Sequence, residues 1–497
     1  MRTWWRGLLL TGLTVTAISL TGCGEKPKPR TGGEKKPDQG QSENGKASAG
    51  TPAAMAVSGV VAKVASAKGT ILVRPESADG KLDQMTADPH INDYKVVDAQ
   101  TALEPGQTVL SFHEGMVASS NGKVSATLRS DLSGRNPLPV LESAIKTRAA
   151  SPGVDFEFKI DRGRIDLANT AKEGKVTVRV HGPFASADLV LATPGTRVVV
   201  EVYGRWMPGT QFTAQPAGTV YTPENSPLMR LLILVLKGEA EINHPRSSFR
   251  LVAPPGNAQI QAQSRGDSVV APEYLDAIPE WVNENPKDPE VAKHKPAIEK
   301  LVSLLAKEGD AEKVFEEFGK SKDPVERLVA IYGMAALDEL EKMFTVIRST
   351  RTPEVVDEGI IALRHFLGRG PGMDQVFFKF LTSHKIGDRP VFTSKQAEAF
   401  IDLLDGFTDE QKEQTSTYVY LLKQLSNPRT AIRGLAIWHL NRLVPDGQKI
   451  GFDPTDEEPA REAAAKKWKD KLTELKKLPE PAPAPKAPAA KPAAPKQ

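Results

Sequence analysis

The pattern of apolar and polar positions divides the chain into two long parts. From Val57 to about Val270, short β-branched runs are separated by Gly, Pro and Asp. Phe156–Ile160 and Val176–Val180 carry apolar side chains at every second position, the period of a half-buried strand. Leu231–Leu236 is apolar throughout and predicts a central strand buried on both faces. This part therefore predicts an all-β sandwich or barrel.

The second part has a helical period. From Glu290 to about Lys477, apolar residues recur at intervals of three and four, which predicts amphipathic helices. Asp323–Glu326 and Thr408–Gln411 have the form of capping boxes, and the Thr-Pro and Asn-Pro pairs at 352 and 427 also predict helix starts. The prolines at 324, 353 and 428 lie one repeat and then about two repeats apart. We predict an α-solenoid, with a plain helical bundle as the alternative.

The first residues have the order of a secretory signal. Met1–Arg6 is basic, Leu8–Leu20 is apolar but short for a bilayer span, and small residues lead into Cys23. This segment resembles a bacterial lipobox, which implies cleavage before Cys23 and lipid attachment to its thiol, with palmitate among the acyl chains. Gly24 follows where an aspartate would signal retention in the inner membrane, so the resemblance favours the outer membrane. The alternative is an uncleaved apolar anchor with an incidental cysteine.

Four segments of the β-rich part carry a second resemblance. Leu103–Gln107, Phe158–Asp166, Leu191–Val200 and Gly209–Phe212 resemble the turns and strands of FecR-like sensor domains, with Phe158–Asp166 as a strand–Gly–strand unit. The resemblance implies an extracytoplasmic β-domain. Family members pass signals to a transmembrane anti-sigma factor, but this sequence lacks the spanning helix and cytoplasmic segment for that role. Asn427–Ala436 resembles the start of a HEAT-type helix.

Together these patterns predict an α+β, multidomain protein. Its predicted segments are a lipoprotein signal peptide (1–22), a disordered tether (23–55), a FecR-like β-domain (56–271), a linker with a short helix (272–289), a HEAT-like helical domain (290–478) and a disordered Pro/Ala/Lys tail (479–497). The tether and tail are too poor in apolar residues to offset the entropy of ordering.

Composition and motifs exclude several function classes. The formal net charge of +3 with both signs mixed does not provide the dense basic face of a nucleic-acid-binding protein. The single cysteine excludes an internal disulfide. The sequence contains no phosphate-binding loop, no G-x-S-x-G elbow and no pair of histidines at metal-ligand spacing. We therefore expect no enzyme activity, no metal and no cofactor.

Two groups of side chains are the strongest candidates for a site. The carboxylates Asp155, Glu157, Asp161 and Asp166 include pairs that a glycosidase needs, but a solvated sheet face balanced by nearby basic residues is the favoured interpretation.

The second group is aromatic. Tyr203, Trp206 and Phe212 are predicted ligand-binding residues, because flat side chains stack on sugar rings. The alternative is that they belong to the core.

The sequence thus predicts a non-enzymatic, lipid-anchored cell-envelope protein that faces the periplasm or cell surface. The leading hypothesis is a partner-binding, scaffolding or sensing module that contacts a protein partner through the helical array. The first alternative is a protein that binds or acts on cell-wall glycan through the β-domain. The second is a structural spacer with no specific partner.

Overall fold

The computed structural model has a β-rich region followed by a helical region, which confirms the α+β class. The structure describes residues 59–75, 94–130, 142–183, 186–216, 218–245, 247–253, 257–263, 273–275, 282, 288–349, 353–383, 385–386, 389–390 and 392–479. All of these described residues belong to one compact unit.

The strands of the β-rich region form two sheets. They are β1 (Ala62–Val64), β2 (Ile71–Arg74), β3 (Lys95–Val96), β4 (Ala102–Leu103), β5 (Thr108–Ser111), β6 (Gly115–Ser119), β7 (Val124–Arg129), β8 (Ser143–Thr147), β9 (Phe156–Asn169), β10 (Val176–His181), β11 (Ser186–Leu191), β12 (Arg197–Arg205), β13 (Leu228–His244), β14 (Ser247–Ala253), β15 (Asn257–Gln263) and β16 (Glu273–Leu275). The first sheet has the order β4-β1-β6-β7-β9-β12-β13-β15-β16. The second has the order β3-β2-β5-β8-β9-β10-β11-β13-β14.

Two long strands, β9 and β13, belong to both sheets. Each passes from one sheet to the other near a glycine of positive φ, Gly163 at 87° and Gly238 at 77°. From the sequence, Lys237-Gly238 predicts a turn that ends the strand Leu231–Leu236, and the strand–Gly–strand unit predicts a turn at Gly163 before a new strand. Both predictions are wrong, because β9 and β13 continue through these glycines. Glycine permits the left-handed conformation, and here that conformation bends a strand at a sandwich corner without ending it.

Apolar side chains between the two sheets form the core of this region, including Phe156, Phe158, Ile165, Val200 and Ile233. All six residues from Leu231 to Leu236 are buried, and their strand pairs with β12 on one side and β15 on the other. The predicted central strand is confirmed.

The helical region contains α1 (Pro289–Glu308), α2 (Ala311–Gly319), α3 (Pro324–Ala336), α4 (Leu340–Ser349), α5 (Pro353–Gly368), α6 (Met373–Ser383), α7 (Ser394–Asp405), α8 (Asp409–Glu413), α9 (Thr415–Leu425), α10 (Thr430–Leu443) and α11 (Glu458–Glu474), with a hairpin of Lys385–Ile386 and Arg389–Pro390 after α6. Asp323 caps α3 by accepting from the Val325 backbone N–H. The reciprocal half of the predicted capping box is wrong, because Glu326 accepts from Lys300 instead. Thr408 forms the predicted reciprocal capping box. The helix predicted from Asn427 begins instead at Thr430, and Thr352 lies outside the described residues.

The helices pack directly on the outer face of the second sheet. Leu72, Leu110 and Phe112 belong to the same buried apolar cluster as the helices. The Phe112 and Phe315 rings meet edge to face with centroids 5.1 Å apart. Because this packing is apolar and continuous, sheet and helices share one core. No helix among the described residues has the length and apolar character that a membrane crossing requires.

Candidate functional site

Charged side chains from the sheets and the helices meet in a buried cluster. Arg162 of β9 donates from Nε to Glu142 Oε1 at 2.6 Å and from Nη2 to the Ala336 carbonyl oxygen at 2.8 Å. Arg369, just after α5, donates to the same Glu142 Oε1 at 2.9 Å and to Asp338 Oδ1 at 2.7 Å. The Glu142 side chain is fully buried. We call Glu142, Arg162, Asp338 and Arg369 the interface network; it ties the β-rich region to the helices.

The charges of this network balance one another. Burial works against ionisation of Glu142, but His365, Arg369 and Arg162 outweigh it and hold the pKa of Glu142 well below its usual range. Burial likewise opposes the charge on Arg162, yet Glu142 and Asp161 raise its pKa. A buried ion pair is stable only when its partners are well placed and hydrogen-bonded. Glu142 Oε1 meets both conditions, because it accepts from Arg162 and from Arg369.

His365 of α5 borders the network. Its Nδ1 lies 3.8 Å from Glu142 Oε2, beyond hydrogen-bond distance, and neither atom has a hydrogen-bond partner in the part of the chain that the structure describes. Burial lowers the pKa of His365 to about 4. The positive charges of Arg369 and Arg162 also lower it, whereas the negative charge of Glu142 raises it. His365 is therefore neutral at neutral pH.

Backbone contact between Gly204 of β12 and Gly368 of α5 lies beside the network. A Cβ on Gly204 would overlap the Gly368 carbonyl oxygen, and a Cβ on Gly368 would overlap that of Gly204. Only glycine allows so close an approach.

The segment after β12 crosses from the sheet to the helices. We call residues 206–222 the crossing loop. Trp206 Nε1 donates to the Leu367 carbonyl oxygen at 3.1 Å. The Phe212 backbone N–H donates to Asp402 Oδ1 at 2.7 Å. Gln215 N–H donates to Gln375 Oε1 at 2.8 Å, and Gln375 Nε2 donates to the Thr213 carbonyl oxygen at 3.1 Å. These bonds anchor the loop to α5, α6 and α7.

An open cleft of about 130 Å³ lies between the crossing loop and the helices. It is lined by Trp206, Thr210, Gln211, Phe212, Thr213, Gln215, Glu224, Asn225, Asp374, Gln375 and Asp405. Three of these residues are acidic and none is basic. The cleft combines aromatic rings, amides and carboxylates.

Two of the carboxylates at the cleft are poorly compensated. Asp374 is 5% exposed; its Oδ2 accepts from Gln375 Nε2 at 2.7 Å, but its Oδ1 has no hydrogen-bond partner among the described residues. Burial raises the pKa of Asp374. Burial also raises the pKa of Asp405 well above its usual value. The negative charges of Asp402 and Asp374 raise it further, and the positive charge of Arg364 lowers it.

All three predicted aromatic residues lie where the sheet meets the helices. The Tyr203 ring lies 6.2 Å from the His365 ring, and Tyr203 does not line the cleft. Trp206 and Phe212 do line it, and the Phe212 ring contacts Phe378 with centroids 5.0 Å apart. The predicted lipidation site, Cys23, lies outside the described residues.

The predicted solvated face of β9 is wrong for two of its carboxylates. Glu157 is 4% exposed and accepts from Ser151 Oγ at 2.7 Å, with His181 Nε2 2.8 Å from its other oxygen. Asp166 is 5% exposed and pairs with Arg129 and Arg197. Burial opposes ionisation of Glu157, but hydrogen bonds from Ser151 and His181 lower its pKa. These carboxylates are held in structural pairs.

Sequence reasoning missed Glu142, Arg369, Asp374 and Asp405. The first is brought to Arg369 only by folding across 227 positions, and no local motif links them. In the described part of the chain, no three His, Cys, Asp or Glu side chains are placed to hold a metal ion.

Comparisons with known proteins give little further information. No protein-family model matches the chain, and no curated protein matches it. Among solved structures, the crystal structure of a candidate anti-sigma factor from Parabacteroides distasonis aligns at 13% identity and a TM-score of 0.20. The alignment covers 35% of this chain and 58% of that one. At this TM-score the likeness supports no conclusion about fold or function.

Proposed function

We propose that this is a non-enzymatic, lipid-anchored protein of the cell envelope that binds a partner protein at the cleft beneath the crossing loop. One observation carries the proposal. A connection between neighbouring strands β12 and β13 leaves the sheet, is hydrogen-bonded to three helices, and encloses an open cleft there. A loop positioned by a rigid scaffold is a common place for binding residues.

The size of the cleft favours part of a macromolecule as its occupant. Pockets that enclose a whole small-molecule ligand usually measure about 300–1,000 Å³, whereas this cleft measures about 130 Å³. One side chain of a partner fits such a volume. Binding of a whole sugar between Trp206 and Phe212 is less favoured for the same reason, because the volume of about 130 Å³ is below that range.

The binding site is testable by photo-cross-linking in intact cells. A benzoylphenylalanine at exposed Gln211, which lines the cleft, should yield a discrete cross-linked protein. The matched control positions are Val419 on α9 and Val252 on β14, which are 45% and 40% exposed.

Each outcome selects one hypothesis. Cross-linking from Gln211 alone supports the cleft. A product from Val419 alone would transfer the function to the outer helical surface, and one from Val252 alone would transfer it to the β-rich region. Absence of products at all three positions would favour a structural spacer.

The lipid anchor requires its own experiment. Cys23→Ser should abolish labelling with radioactive palmitate and release the protein from the membrane fraction, since attached acyl chains supply roughly 0.8 kcal/mol of membrane affinity per buried methylene. Retention of Cys23→Ser in the membrane fraction would instead support an uncleaved apolar anchor.

A further inference from the structure

The lining of the cleft beneath the crossing loop is acidic. Its lining includes Glu224, Asp374 and Asp405 and no lysine, arginine or histidine. Arg364 acts on Asp405 from outside the lining. The Nε of Arg364 donates to the Leu404 carbonyl oxygen, and its guanidinium lies 5.0 Å from the Trp438 ring centroid.

Asp374 supplies the independent observation. Asp374 is only 5% exposed, and it lines the cleft. Its Oδ1 has no hydrogen-bond partner among the described residues. Buried polar atoms in folded proteins are nearly always paired, so a buried, unpaired carboxylate oxygen in a residue that lines a cleft requires an explanation. A donor from outside the chain would satisfy it.

The aromatic lining selects the kind of donor. Trp206 and Phe212 line the same cleft as the carboxylates. Aromatic faces attract lysine and arginine side chains through their π electrons. A guanidinium or ammonium group has N–H donors for Asp374 Oδ1 and an apolar stem for the rings. Its positive charge also matches the acidic lining.

We propose that the cleft is a receptor for a basic side chain, an arginine or a lysine, presented by the partner protein. This inference rests on the proposed function and specifies its chemistry. It gives Asp374 the role of the principal acceptor and gives Trp206 and Phe212 the role of flanking walls.

Short peptides test the inference on the purified full chain. The probes are acetyl-Gly-Arg-Gly-amide, its lysine counterpart, and its citrulline counterpart, which has the shape of arginine without the charge. Calorimetric titration should show that the Kd of the arginine or lysine peptide is at least about tenfold lower than that of the citrulline peptide. Equal binding of arginine, lysine and citrulline, or no binding of any at millimolar concentration, would overturn the inference.

Two variants locate the binding. Asp374→Asn keeps an oxygen for the Gln375 bond but removes the charge, so it should weaken arginine binding at least about tenfold and raise the melting temperature, because an uncompensated buried charge is lost. The matched control is Glu239→Gln on β13, whose partner is Arg250; it should leave binding unchanged. Unchanged binding in Asp374→Asn would contradict the inference.

Gln211→Lys keeps the inference falsifiable if Asp374→Asn fails to fold. Gln211 is exposed, so this change adds a positive charge at the cleft without disturbing the core, and it should weaken arginine binding. If peptides fail to discriminate while cross-linking from Gln211 persists, the basic side chain is wrong and the binding function stands. If both fail, the cleft is not the site.

Discussion

The interface network and the cleft both lie where the sheet meets the helices, and both contain buried carboxylates. The side chains that pair with those carboxylates differ between the two places. Glu142 is met by two arginines, one from each side of the interface. Each of the two carboxylates has one oxygen without a hydrogen-bond partner in the described part of the chain. The side-chain donor to Asp374, however, is the neutral amide of Gln375 and not an arginine. Compensated charge fixes two parts of a protein in register. Uncompensated charge at an open surface is characteristic of a binding site.

Glu142→Gln is the variant with the largest expected effect, and it tests whether the interface network stabilises the fold. The change leaves Arg162 and Arg369 buried without their shared carboxylate, and loss of one partner from a buried ion pair costs about 3–5 kcal/mol. We expect a loss of that size in the free energy of unfolding measured in urea. Glu239→Gln, in an exposed pair with Arg250, is the control and should leave the midpoint unchanged. If both variants behave alike, the network does not hold the interface.

His365 tests the network through pH. Burial lowers its folded pKa to about 4, so between pH 6.5 and 4 the unfolded chain binds the extra proton and stability falls as pH falls. Glu142, Arg162, Arg369 and Asp161 are the charged groups that act on it.

His365→Gln should therefore flatten the stability profile between pH 6.5 and 4, with a difference of about 3 kcal/mol at pH 4. His439→Gln is the comparison variant, because burial lowers the pKa of His439 to about 3 but its ring bonds Leu403 among the helices. His439→Gln should also reduce the loss of stability as the pH falls. Parallel profiles for wild type and His365→Gln would show that His365 is not buried in its neutral form.

Gly368→Ala tests the close approach of α5 to β12. The added Cβ would overlap the Gly204 carbonyl oxygen, and such overpacking costs about 1–3 kcal/mol. Gly370→Ala is a matched control two residues away, because a Cβ there meets nothing within 4 Å. Equal melting temperatures for the two variants would contradict the close packing of sheet and helix.

Trp206→Phe has the smallest expected effect and tests the border between the two regions. It removes the hydrogen bond from Nε1 to the Leu367 carbonyl oxygen but keeps an aromatic wall at the cleft. We expect a loss of about 1 kcal/mol in stability with arginine-peptide binding retained. A larger loss of binding than of stability would show that the indole itself contacts the ligand.

The fold class was predictable because its signals are local. Alternation at Val176–Val180 and helical spacing around Phe400 and Leu404 follow from which face of each element is buried, and the structure places these residues in β10 and α7. The corner glycines show where a local signal is insufficient. Gly163 and Gly238 have the positive φ of a turn, but whether the chain reverses or bends depends on the strands paired on either side.

The site was less predictable, because its parts are distant in the sequence. Their aromatic rings make Trp206 and Phe212 candidates from the sequence, and both line the cleft. Asp374 and Asp405 occupy helices α6 and α7 as ordinary polar residues. The crossing loop bonds to both helices, at Asp402 and at Gln375, and no local pattern predicts that contact.

The sequence by itself determined the order of a β-rich and a helical region, the strand Leu231–Leu236 and the capping box at Thr408, because period and capping depend on neighbouring residues. Only the tertiary structure decided that sheet and helices share a core, that Glu142 meets Arg369, and that Asp374 keeps an unpaired oxygen at an open cleft. The physical reason is that burial and pairing of a charge are set by contacts between elements far apart in the chain, and no local pattern encodes them.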